Sequence, residues 1–185
     1  MKKVFFLIIL LFNFNLLNVS AGVLSVTTED SKNKYKKAYF AGGCFWCMEE
    51  SFDKVKGVIK SISGYSGGHV KNPTYRQVIY KDTGHVEAIE VLYDPKFTNY
   101  EELLKVFWVN IDPFDADGQF CDKGKSYRSV AFYQNQKEKK LIESSVSTIE
   151  KKFNKKKIVT LIWEFEIFYP AEDYHQNYYQ NNFLR

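Results

Sequence analysis

The sequence predicts one α+β domain, a two-layer sandwich built on a central mixed sheet, and three observations carry that prediction. Strand-like and helix-like stretches follow one another irregularly, without a repeating strand–helix–strand unit. The run His85 to Tyr93 is apolar on both faces apart from two acids, which marks a central, well-covered strand. Residues 99–110 and 136–154 each carry an apolar stripe at helical spacing, as helices laid against a sheet do.

The chain opens with a secretory signal pattern over residues 1–21. Lys2 and Lys3 precede an almost wholly apolar run from Val4 to Leu17, and Val19-Ser20-Ala21 puts small residues at a cut before Gly22. Asn13 and Asn15 interrupt that run and leave it short of the ~20 residues a spanning helix needs, so cleavage is expected rather than a stable membrane anchor. The chain is thus expected to be exported, to the periplasm or outside the cell. No cysteine stands near the cut, so lipoprotein anchoring has no attachment point. Residues 22–37, polar and with four lysines, read as a flexible lead-in, and residues 38–185 are long enough for a single domain with a real core.

Net charge is +4, and losing Lys2 and Lys3 with the leader brings it to +2. The lysines are scattered or in short runs such as Lys155 to Lys157, a solvated face rather than the broad basic stripe of a nucleic-acid binder. Three cysteines, Cys44, Cys47 and Cys121, belong to the exported chain. An odd count suits thiols kept for chemistry better than disulfide staples.

Ala38-Tyr39-Phe40 has strand character, Gly42 and Gly43 permit a tight turn, and helical character begins at Cys44. A thiol at a helix N-terminus faces unpaired N–H groups and the positive end of the macrodipole. Its pKa is therefore expected below the ~8.5 of a free cysteine, making Cys44 the candidate nucleophile. Phe45 and Trp46 offer an apolar wall beside it, and Cys47 lies one helical turn on. Gly57 to Tyr65 reads as a strand, Gly64 to Gly68 as a loop, and Thr74 to Tyr80 as a short helix behind Pro73.

In the strand from His85, Val86, Ala88 and Leu92 lie opposite Glu87, Ile89, Val91 and Tyr93. A carboxylate on that apolar face is either a salt-bridged or edge-exposed group, or a desolvated one whose raised pKa makes it a proton donor at neutral pH. Thr98 to Glu101 has capping-box spacing ahead of Leu103, Leu104, Phe107, Trp108 and Ile111. The Gly- and Asp-rich stretch Asp112 to Ser126 fails as a calcium loop, because Pro113 stands where the first ligand belongs and Gly124 replaces the closing glutamate. Tyr127 to Tyr133 reads as a strand. Residues 136–154 then form a helix with Ile142, Val146, Ile149 and Phe153 on one side. Ile158 to Tyr169 reads as a long strand that Pro170 breaks before an aromatic-rich tail.

Gly43-Cys44-Phe45-Trp46 resembles the signature of the peptide methionine sulfoxide reductases of the A type. Further matches follow in the family's order: Gly64-Tyr65-Ser66-Gly67-Gly68, Asn72-Pro73-Thr74-Tyr75, Thr83-Gly84-His85-Val86-Glu87-Ala88, Tyr93-Asp94-Pro95, Phe107-Trp108, Asp112-Pro113 and Tyr127-Arg128-Ser129. The similarity spans Tyr39 to about Phe183. It implies an α+β fold and reduction of methionine-S-sulfoxide, free or in oxidised proteins and peptides. It also implies no bound cofactor or metal, and an external thiol donor such as thioredoxin or a thioredoxin-like protein. Monomer is the default state.

Reducing a sulfoxide needs an activated thiol, an acid that protonates the departing oxygen, an apolar cup for the methyl group and a second thiol. By the resemblance, Cys44 attacks and becomes a sulfenic acid, Glu87 supplies the proton, and Tyr75 and Tyr127 hydrogen-bond the oxygen. Phe45 and Trp46 hold the methyl group, and Asp122 supports the site. The best-known members recycle through cysteines in a Gly-rich C-terminal tail, whereas this sequence has none after Cys121. The resolving thiol is therefore Cys47, which has one-turn geometry, or Cys121, in a loop that reads as mobile beside Asp122. The preference falls on Cys121. Two rival readings stand beside this one: a thioredoxin-like disulfide exchanger using Cys44-x-x-Cys47, and a zinc-stabilised binding module drawing on the three cysteines and a histidine. The first lacks a strand–helix–strand context, and the second has no partner Cys-x-x-Cys pair, with His69, His85 and His175 far apart.

Overall fold

The computed structural model describes residues 34–182, so the signal expected at residues 1–21 and most of the lead-in lie outside the described residues. The described chain runs β1 (Lys36–Gly42), α1 (Phe45–Asp53), β2 (Val58–Ser66), α2 (Tyr75–Tyr80), β3 (Val86–Tyr93) and α3 (Tyr100–Val109). It continues through a minimal hairpin of β4 (Gly118–Gln119) and β5 (Asp122–Lys123), then β6 (Ser129–Tyr133), α4 (Gln136–Lys152), β7 (Leu161–Glu164), β8 (Phe168–Pro170) and α5 (Tyr178–Asn181). β1 begins two residues inside the stretch expected to be lead-in.

Six strands form one sheet in the order β7-β6-β1-β3-β2-β8, antiparallel except for the β6–β7 pair, so the sheet is mixed and β3 is central as its two-sided apolar pattern requires. On one face, Phe40 of β1, Ile89 and Val91 of β3 and Ala131 of β6 meet Phe45, Met48 and Phe52 of α1 and Leu103, Leu104 and Phe107 of α3. Phe40 is the hub: its ring stacks on Phe52, Tyr100 and Phe107 at centroid distances of 5.2, 5.7 and 5.2 Å.

Among the described residues no helix covers the other face. Its residues, Tyr39, Ala41, Val86, Ala88, Val130 and Phe132, are covered by Leu161, Trp163, Phe165 and Phe168 from the sheet's own last segment. Here the structure corrects the sequence reading. Ile158 to Tyr169 is not one long strand but β7 and β8, which pair with opposite edges of the sheet. Three residues, 165–167, join them, a span of at most roughly 14 Å. The six-stranded sheet must therefore curl until its edges nearly meet. Phe165, in the link, lies flat on Tyr39 with ring centroids 3.6 Å apart. Apolar alternation over residues 159–167 looks like one strand because Leu161, Trp163 and Phe165, from β7 and the link, all cover the concave face, while Val159 and Ile167 at its ends are exposed. Pro170 is tolerated inside β8 because that strand is an edge.

Three smaller expectations also shift. Asn99, not Thr98, caps α3, its side chain accepting from the backbone N–H of Glu102. β2 continues through Gly64 to Ser66 instead of turning at Gly64. Lys125–Tyr127 is a single 3₁₀ turn ahead of β6. Glu90, the second acid of β3, faces the concave side, where Tyr39 Oη donates to it at 2.8 Å and Lys37 Nζ lies 2.9 Å away.

Replacing Phe40 by alanine removes the ring that three others stack on and is expected to cost about 3–5 kcal/mol of stability. Urea denaturation measures this, and a loss below ~1 kcal/mol contradicts the assignment of Phe40 as the hub.

Candidate active site

The site is set by how β1 hands over to α1. Gly43 sits at φ +79°, a region that favours glycine, and a Cβ there would come within 2.5 Å of Gln119 Cβ. Gln119 is buried and grips the loop before it, its Oε1 accepting from the Asp112 N–H at 2.7 Å and its Nε2 donating to the Asp112 carbonyl at 2.9 Å. The turn thus locks onto the β4–β5 hairpin. Cys44 follows at the N-cap of α1, half-buried, with Phe45 as the first helical residue.

Glu87 reaches the same helix end from β3. It is 2% exposed, and its Oε2 accepts the Phe45 backbone N–H at 3.0 Å. Burial pushes its carboxyl up to about 8; the Phe45 N–H works against that, and the charges of Asp122 and Cys47 add to it. Of the two sequence readings for Glu87, the desolvated acid describes this residue.

The thiols correct an expectation. The helix N-terminus does not make Cys44 acidic. The Cys47 sulfur one helical turn away, and burial, push the Cys44 thiol up. Cys47 goes the other way, to about 6, chiefly through the neighbouring Cys44 thiol. The anion settles on the more exposed sulfur, where desolvation costs less, and two acceptors, Cys44 and Glu87, compete for one helix end.

Tyr75 and Tyr127 are neighbours in the site, and burial pushes both hydroxyls up and keeps them protonated. Glu172 places Tyr75, its two oxygens accepting the Tyr75 N–H at 3.0 Å and the Tyr65 hydroxyl at 2.9 Å. Asp122 begins β5 close enough to raise Glu87 and Cys47 through its charge. Phe45 is buried against Tyr65, Tyr75 and His175, and Trp46 stacks on Tyr178 with centroids 3.7 Å apart. Cys121 is exposed at the hairpin turn, beside Phe120 at φ +49°.

The structure therefore gathers Cys44, Cys47, Phe45, Trp46, Tyr75, Glu87, Asp122 and Tyr127 around the start of α1. It adds residues that the sequence reading passed over. His175 is 2% exposed among Phe45, Trp46, Tyr75 and Tyr174, with both ring nitrogens unpaired, and burial holds it neutral. Glu49, Glu172, Tyr178 and Tyr179 belong with it. The density of aromatic residues after Pro170 was the only sequence signal for the tail residues among them, and Glu49 in α1 had none. Among the described residues no group of three or more His, Cys, Asp or Glu side chains is placed to hold a metal ion.

The family model described as peptide methionine sulfoxide reductase matches residues 36–185. The chain belongs to that family. It is 50% identical over 151 residues to the peptide methionine sulfoxide reductase MsrA of Listeria monocytogenes, covering 81% of this chain and 85% of that protein. The MsrA of Bacillus subtilis is also 50% identical, over 150 residues, 80% of this chain and 85% of its own length. Among solved structures, methionine sulfoxide reductase A of Corynebacterium diphtheriae superposes with a TM-score of 0.75 at 29% identity, covering 83% of this chain and 77% of that one. These relatives place the chain in the A-type branch of the reductase family, and the curled mixed sheet is theirs as well.

Glu87 ties the reductase site to stability. Its folded pKa lies above its ordinary value, so the folded chain keeps a proton that the unfolded chain has released. The stability linked to Glu87 is full below pH ~4.5 and is lost as pH rises through about 8. At ~1.4 kcal/mol per pH unit, Glu87→Gln is expected to gain on the order of 3 kcal/mol relative to wild type between pH 5 and pH 9. Denaturant titrations at both pH values measure this, and an unchanged difference between the two proteins contradicts a buried, protonated Glu87.

Proposed function

We propose that the chain reduces methionine-S-sulfoxide, free and in oxidised proteins and peptides, as a repair enzyme that turns over on its own thiols. One observation carries the reading: a protonated, buried carboxyl and a thiol share one helix N-terminus, held together by the Phe45 N–H on Glu87.

The chemistry balances on the groups present. The Cys44 proton passes to the Cys47 thiolate within its reach. Cys44 attacks the sulfoxide sulfur while Glu87 protonates the oxygen, and Tyr75 and Tyr127 steady the developing charge with their hydroxyls. The attack forms a bond between the Cys44 and methionine sulfurs; that bond and the S–O bond then break as the protonated oxygen moves to the Cys44 sulfur, so methionine leaves and Cys44 remains as a sulfenic acid. Phe45 and Trp46 wall the space for the methyl group. Burial, with Asp122 nearby adding to it, keeps the Glu87 carboxyl protonated and ready.

A second thiol then closes the cycle as a disulfide with Cys44. The place of Cys47 one helical turn from Cys44 supports it over Cys121, which sits exposed at the hairpin turn. A thioredoxin-like protein reduces that disulfide, and a monomer meets the needs of the site, since every group named comes from one chain.

Activity on each epimer of a methionine-sulfoxide peptide, with dithiothreitol as donor, tests the reading. Wild type is expected to reduce the S epimer alone, with a rate that falls above pH ~8 as Glu87 ionises. Cys44→Ser is expected to abolish turnover, and Glu87→Gln to slow it by roughly 10²–10⁴-fold and remove the fall above pH 8. A folded, reduced wild type without sulfoxide turnover contradicts the reading, and activity on a generic disulfide would then favour thiol exchange.

Export belongs to the same proposal. The basic, apolar and small-residue order of residues 1–21 supports secretion with cleavage before Gly22. N-terminal sequencing of the chain from the native host is expected to begin at Gly22; a mature chain that keeps Met1 contradicts it.

A further inference from the structure

The chain after β8 folds back over α1 as a strap. Gln176 grips β2, its Oε1 accepting the Ser63 N–H at 3.0 Å and its Nε2 donating to the Ser63 carbonyl at 2.9 Å. Asn177, at φ +52°, donates its N–H to buried Glu49 on α1 at 3.0 Å, and Gln180 donates to Asp53 at 3.1 Å. Between these anchors Tyr178 stacks on Trp46, and the Tyr179 hydroxyl lies 3.4 Å from the Cys47 sulfur, 132 residues away in sequence. Nothing in the reaction as drawn above uses Tyr179.

We propose that Tyr179 is a positioning residue for resolution: its hydroxyl donates to the Cys47 sulfur and holds it as an attacking thiolate beside Cys44. This rests on the sulfoxide reductase reading with Cys47 as the second thiol. The groups facing Cys47 show why a donor is needed. Cys44 and Tyr179 favour the anion, whereas Asp122 and Glu50 oppose it, and Glu87 carries a carboxyl that feels the Cys47 charge. After the first step Cys44 has become a sulfenic acid and its S–H donor is gone. Tyr179 then remains as the donor that came with neither the substrate nor the reacting pair.

The step balances without a further reactant. Cys47 releases the proton it took from Cys44, and its thiolate attacks the Cys44 sulfur. The Cys44 S–O bond breaks as the Cys44–Cys47 S–S bond forms, and the departing hydroxide takes up the released proton and leaves as water. Cys47 is oxidised, and the sulfenic sulfur is reduced to the disulfide level. Forming that bond removes the acceptor of Tyr179, so its hydroxyl turns to solvent.

Tyr179→Phe keeps the ring and removes only the hydroxyl. Two measurements compare it with wild type: iodoacetamide alkylation of Cys47 from pH 5 to 9, resolved by peptide mass, and one turnover without reductant, following methionine and disulfide separately. Wild type is expected to alkylate at Cys47 with a midpoint near pH 6. The variant is expected to shift that midpoint up by one unit or more and to form the Cys44–Cys47 disulfide about tenfold more slowly at pH 7. Its disulfide rate should recover by pH 9, and at pH 7 its first-turnover methionine should be slowed less than its disulfide.

An unchanged midpoint overturns the proposal, as does slowing by one factor at every pH, the mark of lost packing alone. A wild-type disulfide joining Cys44 to Cys121 overturns it too. If wild type forms no methionine, the sulfoxide reading fails, while the alkylation midpoint still decides whether Tyr179 governs Cys47.

Discussion

The hydrogen bond from the Phe45 N–H to Glu87 is the constraint on which the site depends. It joins the first residue of α1 to the start of the central strand. The carboxyl therefore cannot drift from the thiol at the helix cap. The bond is made with a group that burial keeps protonated, so it fixes a proton donor without fixing a charge. The same burial that costs stability at high pH makes Glu87 an acid at neutral pH.

Everything else serves that junction. The central position of β3 removes Glu87 from water, and Gly43 lets the chain turn sharply enough to bring Cys44 back over it. The curl of the sheet frees the concave face from needing helices of its own, so α1 and α3 lie together on the convex side. It also returns the chain, through β8, to the edge beside β2, from where Glu172, His175 and the strap reach the site. A flat sheet with one long last strand would leave the tail on the wrong edge.

The sequence displayed part of this and hid part. Period-two alternation in residues 85–93 exposed the central strand and the face Glu87 occupies, because strand geometry acts residue by residue. Gly42-Gly43-Cys44 marked the strand-to-helix turn for the same local reason. The split of residues 158–169 was not legible: apolar alternation looks identical whether it pairs with one strand or curls between two edges. The acidity of the thiols was misjudged on similar grounds. A helix end is a local feature, but burial and a second sulfur within reach are tertiary ones, and they outweigh it at Cys44. Tyr179 and Glu49 could not be found at all, since their partners lie 132 and 128 residues away.

The most direct test of the account is the protonation of Glu87 itself, followed by carbon NMR of labelled side-chain carboxyls in the resting enzyme. The account predicts that one carboxyl, absent from Glu87→Gln, titrates near pH 8, well above the ordinary carboxylate range. A Glu87 signal that titrates with the exposed acids would mean that the Phe45 N–H holds a carboxylate, and the proton for the departing oxygen would have to come from elsewhere.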